Sequence, residues 1–520
     1  MSGNITSDTT YQVDAIIIGA GLGGLLAASQ LIQRGKRVIV LERLNHSGGR
    51  FTAKDFHGVQ VSTGAVHMVP FGSSGELARM LSDLRIPHRF SDADVFGSFH
   101  VHGRQYRAPG LLGVYKFLGP RQFFWFLRLG YLMFFRPVPI EVQRLPFDLW
   151  LDRHIPVQRN PQLVAFFASI ARFALSLELH QISTGEVVRT TKNMFRYGAP
   201  AIVRGGCGEL TRQLEQSIRK QGRAQGDVLH LSSVVLEILH EHGRVQGVRV
   251  LDKAREEEVV YYAPLLVSDI GPRATQALLA GRRITQAQVL QQQQQRGDHE
   301  DTPLQRTNES AAPSHHRGIP SWSLMADASV PVREAVGLKV HVLSDISLIP
   351  HRGIMYCLDT QRIAGIVQPT NSDPTLAPPG KHLLITHQVI QSDNIEEERT
   401  LALADLYMLF GGKETFEKHC RVLTMGMYRG EWPVNRVAQG EDVVPQTELD
   451  GLYLVGDAVK PSGYLMVEGV AQSVNRFMDV LDEIDSQPGS RSQHRSGAMQ
   501  PSRLNALRWL WKAPGNGGRI

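Results

Sequence analysis

A four-residue apolar run, Ala15-Ile16-Ile17-Ile18, passes directly into Gly19-Ala20-Gly21-Leu22-Gly23-Gly24, and the chain then stays largely apolar to about Gln33. Few local patterns leave a chain so little freedom. The first run is short, β-branched and bounded by glycine, which predicts a strand buried on both faces. The longer stretch is apolar nearly all round, which predicts a buried helix. Gly35 closes that helix, and a second buried strand, Val38 to Leu41, ends on Glu42. Strand, glycine turn, helix and strand in this order form the unit on which a Rossmann-like α/β domain is built.

Each glycine has its own physical task. Gly19 permits the tight turn, Gly21 lets the backbone approach a diphosphate, and Gly24 lets the helix pack closely on the strand. N–H groups at Leu22, Gly23 and Gly24, with the positive end of the helix dipole, then favour an anion. Glu42 is placed to accept hydrogen bonds from a ribose diol. A glycine-rich turn alone is weak, because such turns are common. With strand, helix and trailing acid at the required spacing, a dinucleotide site is the expectation. Gly48-Gly49-Arg50 adds a second close backbone approach and a fixed guanidinium for the same diphosphate. Arg43 would suit a 2′-phosphate and therefore NADP, but Glu42 would repel that group, so the pattern favours FAD.

From Gly48-Gly49-Arg50-Phe51-Thr52 onward the chain resembles the flavin amine oxidase and phytoene desaturase superfamily. Gly205-Gly206-Cys207-Gly208-Glu209-Leu210 opens a helix, followed by Val228 to Leu239 and by Gly243-Arg244-Val245-Gln246-Gly247-Val248. Ala263 to Pro272 closes the segment, with Ser268-Asp269 shortly before the proline. That order is similar to phytoene desaturases, carotenoid isomerases and retinol saturases. Gly451 to Ala458 looks like the second FAD motif, with a helix starting near Val467. The resemblance implies an FAD-binding Rossmann-like α/β domain and a second substrate domain of antiparallel sheet and helices. It implies that Gly456 and Asp457 meet the ribitol or pyrophosphate side of FAD and that Val235 contacts adenine through its backbone. Met466 and Val467 would place N–H groups by the flavin ring. No cysteine lies near that motif, so the FAD is expected to be non-covalent. Gly456-Asp457-Ala458-Val459 and the following Lys460 to Tyr464 depart from the desaturase pattern, which leaves the substrate open.

At 520 residues the chain exceeds a single core. The expected division is a discontinuous FAD-binding domain (1–100, 200–283 and 425–486) and a substrate domain (101–199 and 319–424). Residues 284–318 read as a disordered insertion and 487–520 as a flexible tail. The net charge is +6 and the pI about 9.2, which suits an anionic membrane surface. No nucleic-acid-binding motif is visible. Cys207, Cys357 and Cys420 are scattered without metal-ligand spacing, so no metal is expected and a reducing compartment is. No Lys or Arg precedes Arg34, and the first apolar run is the dinucleotide strand, so a cytoplasmic protein is the expectation.

Leu111 to Ile140 contains Phe123-Phe124-Trp125-Phe126-Leu127 and Tyr131-Leu132-Met133-Phe134-Phe135, interrupted by Lys116, Pro120, Arg121, Arg128 and Arg136. Those charges argue against an ordinary spanning helix. Two readings stand: a helix lying in a membrane interface, with Arg121 and Arg128 on one face, or a buried substrate-domain helix. Leu504 to Lys512, with two tryptophans, reads as either a second interfacial segment or a frayed tail.

Candidate catalytic residues are His67, as a base, and Glu468; a packed histidine and a capping acid are the alternatives. Arg196 and Tyr197 are candidates to line the cavity. The resemblance implies an FAD-dependent desaturase or saturase of a long apolar isoprenoid, by hydride transfer at flavin N5; the aromatic segment 111–140 would dock it peripherally on a membrane. With one dinucleotide fold visible, electrons would pass to oxygen, a quinone or another external acceptor. The alternatives are an amine oxidase, with Trp432 and Tyr464 as cage rings and a lysine near N5; a redox-neutral cis–trans isomerase; and a non-enzymatic prenyl-lipid carrier.

Overall fold

The computed structural model describes residues 10–64, 66–95, 97–108, 110–253, 256–280, 335–392, 394–430 and 444–486. The expected disordered insertion, the C-terminal tail and Trp432 therefore lie outside the described residues.

A parallel sheet of five strands carries the first unit, in the order Leu229–His230, Val38–Leu41, Ala15–Ile18, Leu266–Ser268, Leu452–Leu454. Its strands come from three separate stretches of chain, and most of their residues are buried, as a sheet covered on both faces requires. The helix Leu22–Gln33 buries ten of its residues between this sheet and two longer helices, Gly206–Gln221 and Met466–Ser486. Leu25, Leu26 and Leu31 are wholly enclosed, so replacing any one by alanine would cost about 2–5 kcal/mol. A four-stranded sheet covers the other face, in the order Thr10–Gln12, Glu257–Tyr262, Arg244–Asp252, Ser233–Glu241.

The second body is a seven-stranded sheet: Cys420–Gly430, Ala335–Ser344, His382–Val389, Ile363–Val367, Ile354–Cys357, Gly97–Val101, Arg104–Ala108. All its pairings are antiparallel except Ile354–Cys357 with Gly97–Val101. The hairpin Gly97–Ala108 straddles the division expected at residue 100, and Cys420–Gly430 straddles that at 424. Ladder hydrogen bonds, which a motif search does not see, tie both to the seven-stranded sheet. One face of the sheet packs on helices of 111–197, the other on Ile395–Leu409 and Lys413–His419.

The aromatic segment forms the helix Leu111–Phe135, broken where Gly119 adopts φ 69° before Pro120. The helix is buried on one face and exposed on the other. Phe117, Leu118, Leu129 and Met133 are buried in the core, and Phe126 meets Phe166 edge-on. The opposite face leaves Phe124, Leu127, Tyr131 and Phe135 exposed by 60%, 47%, 51% and 75%, spaced three or four apart and therefore in one stripe. No described helix is long and apolar enough to cross a membrane.

Candidate functional site

The glycine turn and the helix behind it are built by close approach. Gly19 holds φ 100°, and a Cβ on Gly24 would lie 2.1 Å from the Gly19 carbonyl oxygen. The Gly48-Gly49-Arg50 loop docks alongside through the Gly48 N–H, which donates to Ala20 O at 2.7 Å. Glu42 is buried; Oε2 accepts from Ala20 N (2.8 Å) and Oε1 from Leu44 N (2.9 Å). Each oxygen keeps a second lone pair for a diol. Ser233 N donates to Glu42 O, which brings the strand carrying Val235 beside this end. A register shift lies between Val235 and Glu237. Arg43 is exposed.

Opposite the helix N-terminus stands the second motif. Arg50 Nη2 donates to Asp457 Oδ2 (3.1 Å) and Lys460 Nζ to Asp457 Oδ1 (2.9 Å). Burial pushes the Asp457 carboxyl up, but Lys460 and Arg50 outweigh it and hold the carboxyl below its ordinary value. Between the motifs is a cradle walled by glycines, which the Asp269 carboxylate enters. A Cβ on Gly21, Gly23 or Gly456 would come within 2.4, 2.5 or 2.3 Å of the Asp269 carboxylate. Asp269 sits there as an acid facing an anion-favouring helix end. Burial pushes its pKa up to about 7, against the Gly24 N–H and Arg50 and with Glu42 and Asp457. These residues fit a diphosphate, provided Asp269 is protonated or turns aside. Met466, at the start of the last helix, holds φ 44°, an uncommon and strained conformation for a non-glycine. Val467 beside it is buried.

The catalytic candidates are less available. His67 is fully buried with φ 56°. Its Nε2 donates to Gln60 O (2.7 Å) and its Nδ1 accepts from Cys207 N (3.1 Å), which fixes the tautomer. Burial lowers its pKa to about 4. With both ring nitrogens engaged, His67 is a packed histidine, not a free base. Glu468 turns towards Gly75 and accepts from Leu77 N at 2.9 Å, the second position of the helix Glu76–Asp83. That is the capping geometry. Burial pushes its pKa up to about 7. Tyr197 stacks on Phe71 at 4.9 Å and donates to Glu76 Oε1; Arg196 is exposed, its guanidinium over the Tyr197 ring.

One residue with chemistry to offer escaped the sequence reading. Lys339, on Ala335–Ser344, is 2% exposed and donates to Ser62 O at 2.7 Å. Burial lowers its pKa to about 7. Cys207, His67 and His341 lie within its electrostatic reach. The only sequence signal was a lysine inside an otherwise inward-facing strand, Gly337-Leu338-Lys339-Val340. A cavity of about 420 Å³ opens beside this cluster, lined in part by Thr52, Gln60, Gly205, Arg212 and Thr375. Among the described residues no group of three or more His, Cys, Asp or Glu is placed to hold a metal ion.

Residues 17–84 match the family of NAD(P)-binding Rossmann-like domains. A solved oxidoreductase from Methanosarcina mazei is 29% identical, covers 90% of this chain and 100% of its own, and superposes with a TM-score of 0.70. Putrescine oxidase, 15% identical, shares the fold over 91% of this chain and 100% of its own (TM-score 0.57). The fold is that of the flavin amine oxidase-like oxidoreductases. An uncharacterized protein of Methanocaldococcus jannaschii is 28% identical over 90% of this chain and 99% of its own length. Phytoene dehydrogenase of Streptomyces griseus is 26% identical over 71% of each chain. Shorter stretches match human all-trans-retinol 13,14-reductase, of which the match spans 47%, and prolycopene isomerases. The chain thus resembles the phytoene desaturase, carotenoid isomerase and retinol saturase branch, and these likenesses support an enzyme of the oxidoreductase class with a flavin cofactor.

Proposed function

We propose that the protein is an FAD-dependent oxidoreductase acting on C–C bonds of a long apolar, isoprenoid-like lipid taken from a membrane surface. The observation that carries this reading is the cradle between the Leu22–Gln33 helix and Gly456-Asp457, closed by the Arg50–Asp457–Lys460 ion pairs. FAD, when bound, supplies a two-electron acceptor or donor, so the difficult chemistry is the cofactor's.

The chain's own residues bind, orient and exclude water. Glu42 would accept from the ribose diol, the N–H groups of Leu22 to Gly24 and Arg50 would hold the diphosphate, and the start of the Met466–Ser486 helix would offer N–H groups to the ring. Lys339, with a pKa near 7, holds or releases a proton at Nζ close to neutral pH. A substrate domain cored by aromatic and aliphatic residues suits an apolar ligand, which gains about 0.8 kcal/mol per buried methylene. The stripe Phe124, Leu127, Tyr131, Phe135, with Arg121 and Arg128 exposed nearby, suits peripheral docking on an anionic leaflet. Oxygen or a quinone would serve as external acceptor. The amine oxidase alternative keeps one supporting observation, the buried Lys339.

Extraction tests the cofactor. Acid precipitation should leave the flavin in the supernatant, and its mass should be that of FAD. A colourless protein would favour the carrier reading; flavin retained on the pellet would contradict non-covalent binding.

A further inference from the structure

Away from the dinucleotide cradle, a half-buried guanidinium keeps two of its nitrogens enclosed and without a partner. Arg189 lies on the helix Thr184–Tyr197, one turn after Gly185. Its Nη1 donates to Gln143 Oε1 at 2.8 Å, and Gln143 is itself anchored through Nε2 to Val138 O at 2.8 Å. Its Nε and Nη2 are buried and have no hydrogen-bond partner. These two N–H groups lie on the same edge of the planar guanidinium and point in parallel, the fork that matches the two oxygens of a carboxylate or phosphate. A buried polar group without a partner calls for an absent one.

The fork faces a cavity of about 110 Å³ lined by Val138, Gln143, Gly185, Val188, Arg189 and Lys192. Gly185 keeps it open, since a Cβ there would lie 3.0 Å from Arg189 Nη2. The nearest acid along the helix, Glu186, is engaged by the Gly463 N–H (2.7 Å) and the Thr190 hydroxyl (3.3 Å). Val138 and Val188 make part of the wall apolar, and Val138 lies three residues beyond Phe135, where the exposed apolar stripe ends. We propose that Arg189, with Lys192 at the rim, is an oxyanion subsite that takes the carboxylate or phosphate head of an amphipathic molecule. This site is independent of the flavin assignment.

The test uses the full chain with three probes: inorganic phosphate, octanoate, and phosphatidylcholine vesicles with or without phosphatidic acid. Saturable binding of octanoate or phosphate, with a rise in Tm, identifies a free small-molecule head; binding only to vesicles containing phosphatidic acid identifies a bilayer head. Either supports the subsite. Arg189→Met should lose the response, and Arg189→Lys, which keeps the charge without the fork, should weaken it at least about tenfold. Flavin absorbance should stay unchanged in both variants, which separates this outcome from loss of the cofactor. Without any anion, Arg189→Met should be as stable as the wild type or more so. The proposal is overturned by absence of response to all three probes, by Arg189→Lys binding as tightly as the wild type, or by a large loss of stability in Arg189→Met without anion.

Discussion

Lys339→Met replaces a buried ammonium by an apolar chain of similar length, and the consequence depends on pH. The folded-state pKa is lowered from 10.5 to about 7, whereas the unfolded lysine keeps a value near 10.4. Between these values the unfolded chain binds more protons than the folded one, so this group makes stability rise with pH. Below about pH 7 the lysine is charged in both states and the burial penalty is complete. At roughly 1.4 kcal/mol per pH unit, the wild type should gain roughly 1.5 kcal/mol relative to Lys339→Met from about pH 7 to about pH 8.5. Cys207, whose thiol burial pushes up to about 12, erodes stability above that range, and more so in the variant, which lacks the lysine charge that lowers the thiol. Urea-unfolding free energies of the two proteins across this range provide the assay, read as the difference at each pH. At pH 7 the variant should be the more stable, after losing one hydrogen bond to Ser62 O worth about 1 kcal/mol. A difference that does not change with pH would refute the reasoning, because it would mean that Lys339 titrates as a solvated lysine.

Three further outcomes follow from the site and its surroundings. Gly21→Val places atoms against the Asp269 carboxylate and fills the cradle, so FAD retention after purification should fall by at least about a hundredfold, while Glu42→Ala should weaken FAD by about 1–3 kcal/mol; equal retention by Gly21→Val and wild type would remove the motif assignment. Asp269→Asn removes a like charge beside the diphosphate, so a fluorescence titration of the apoprotein should give at least about tenfold tighter FAD at pH 8. Because the Asp269 pKa is raised to about 7, wild-type affinity should improve as the pH falls from 8 to 6, and the variant's should not. Replacing Phe124, Leu127, Tyr131 and Phe135 together by serine removes about 1 kcal/mol of interfacial burial each, so partition onto anionic liposomes should drop on the order of a thousandfold with the flavin spectrum intact. Loss of fold and flavin together would return that helix to the core.

What was legible in the sequence was whatever physics writes locally. The turn after Ile18 needs glycine where a Cβ has no room, and the buried strands read as unbroken apolar runs, so the parallel sheet and its cofactor cradle stood out. The strands of the second body were also visible as runs, but the pairing of Gly97–Ala108 with Ile354–Cys357 spans some 250 residues and leaves no local mark. Side-chain direction was hidden as well. His67 and Glu468 were sensible candidates by position, yet one ring is engaged on both sides and the carboxylate is turned to a helix N-terminus. Lys339 and Arg189 looked like ordinary cations, because the enclosure of an ammonium, or of one unpartnered edge of a guanidinium, is a property of the fold, not of the residue. In the aromatic segment, composition could not separate core from surface; the helical phase does, assigning Phe117 and Met133 inward and Phe124 and Phe135 outward.

The most direct test of the central claim is anaerobic incubation of the flavin-loaded protein with liposomes carrying isoprenoid polyenes, following flavin absorbance and product mass together. Bleaching with a product two hydrogens lighter is the predicted result for a desaturase. Reoxidation of pre-reduced flavin with a product two hydrogens heavier is the result for a saturase, and unchanged mass with altered geometry would identify the isomerase. Rapid bleaching by a small amine, with no change in any isoprenoid, would contradict the account.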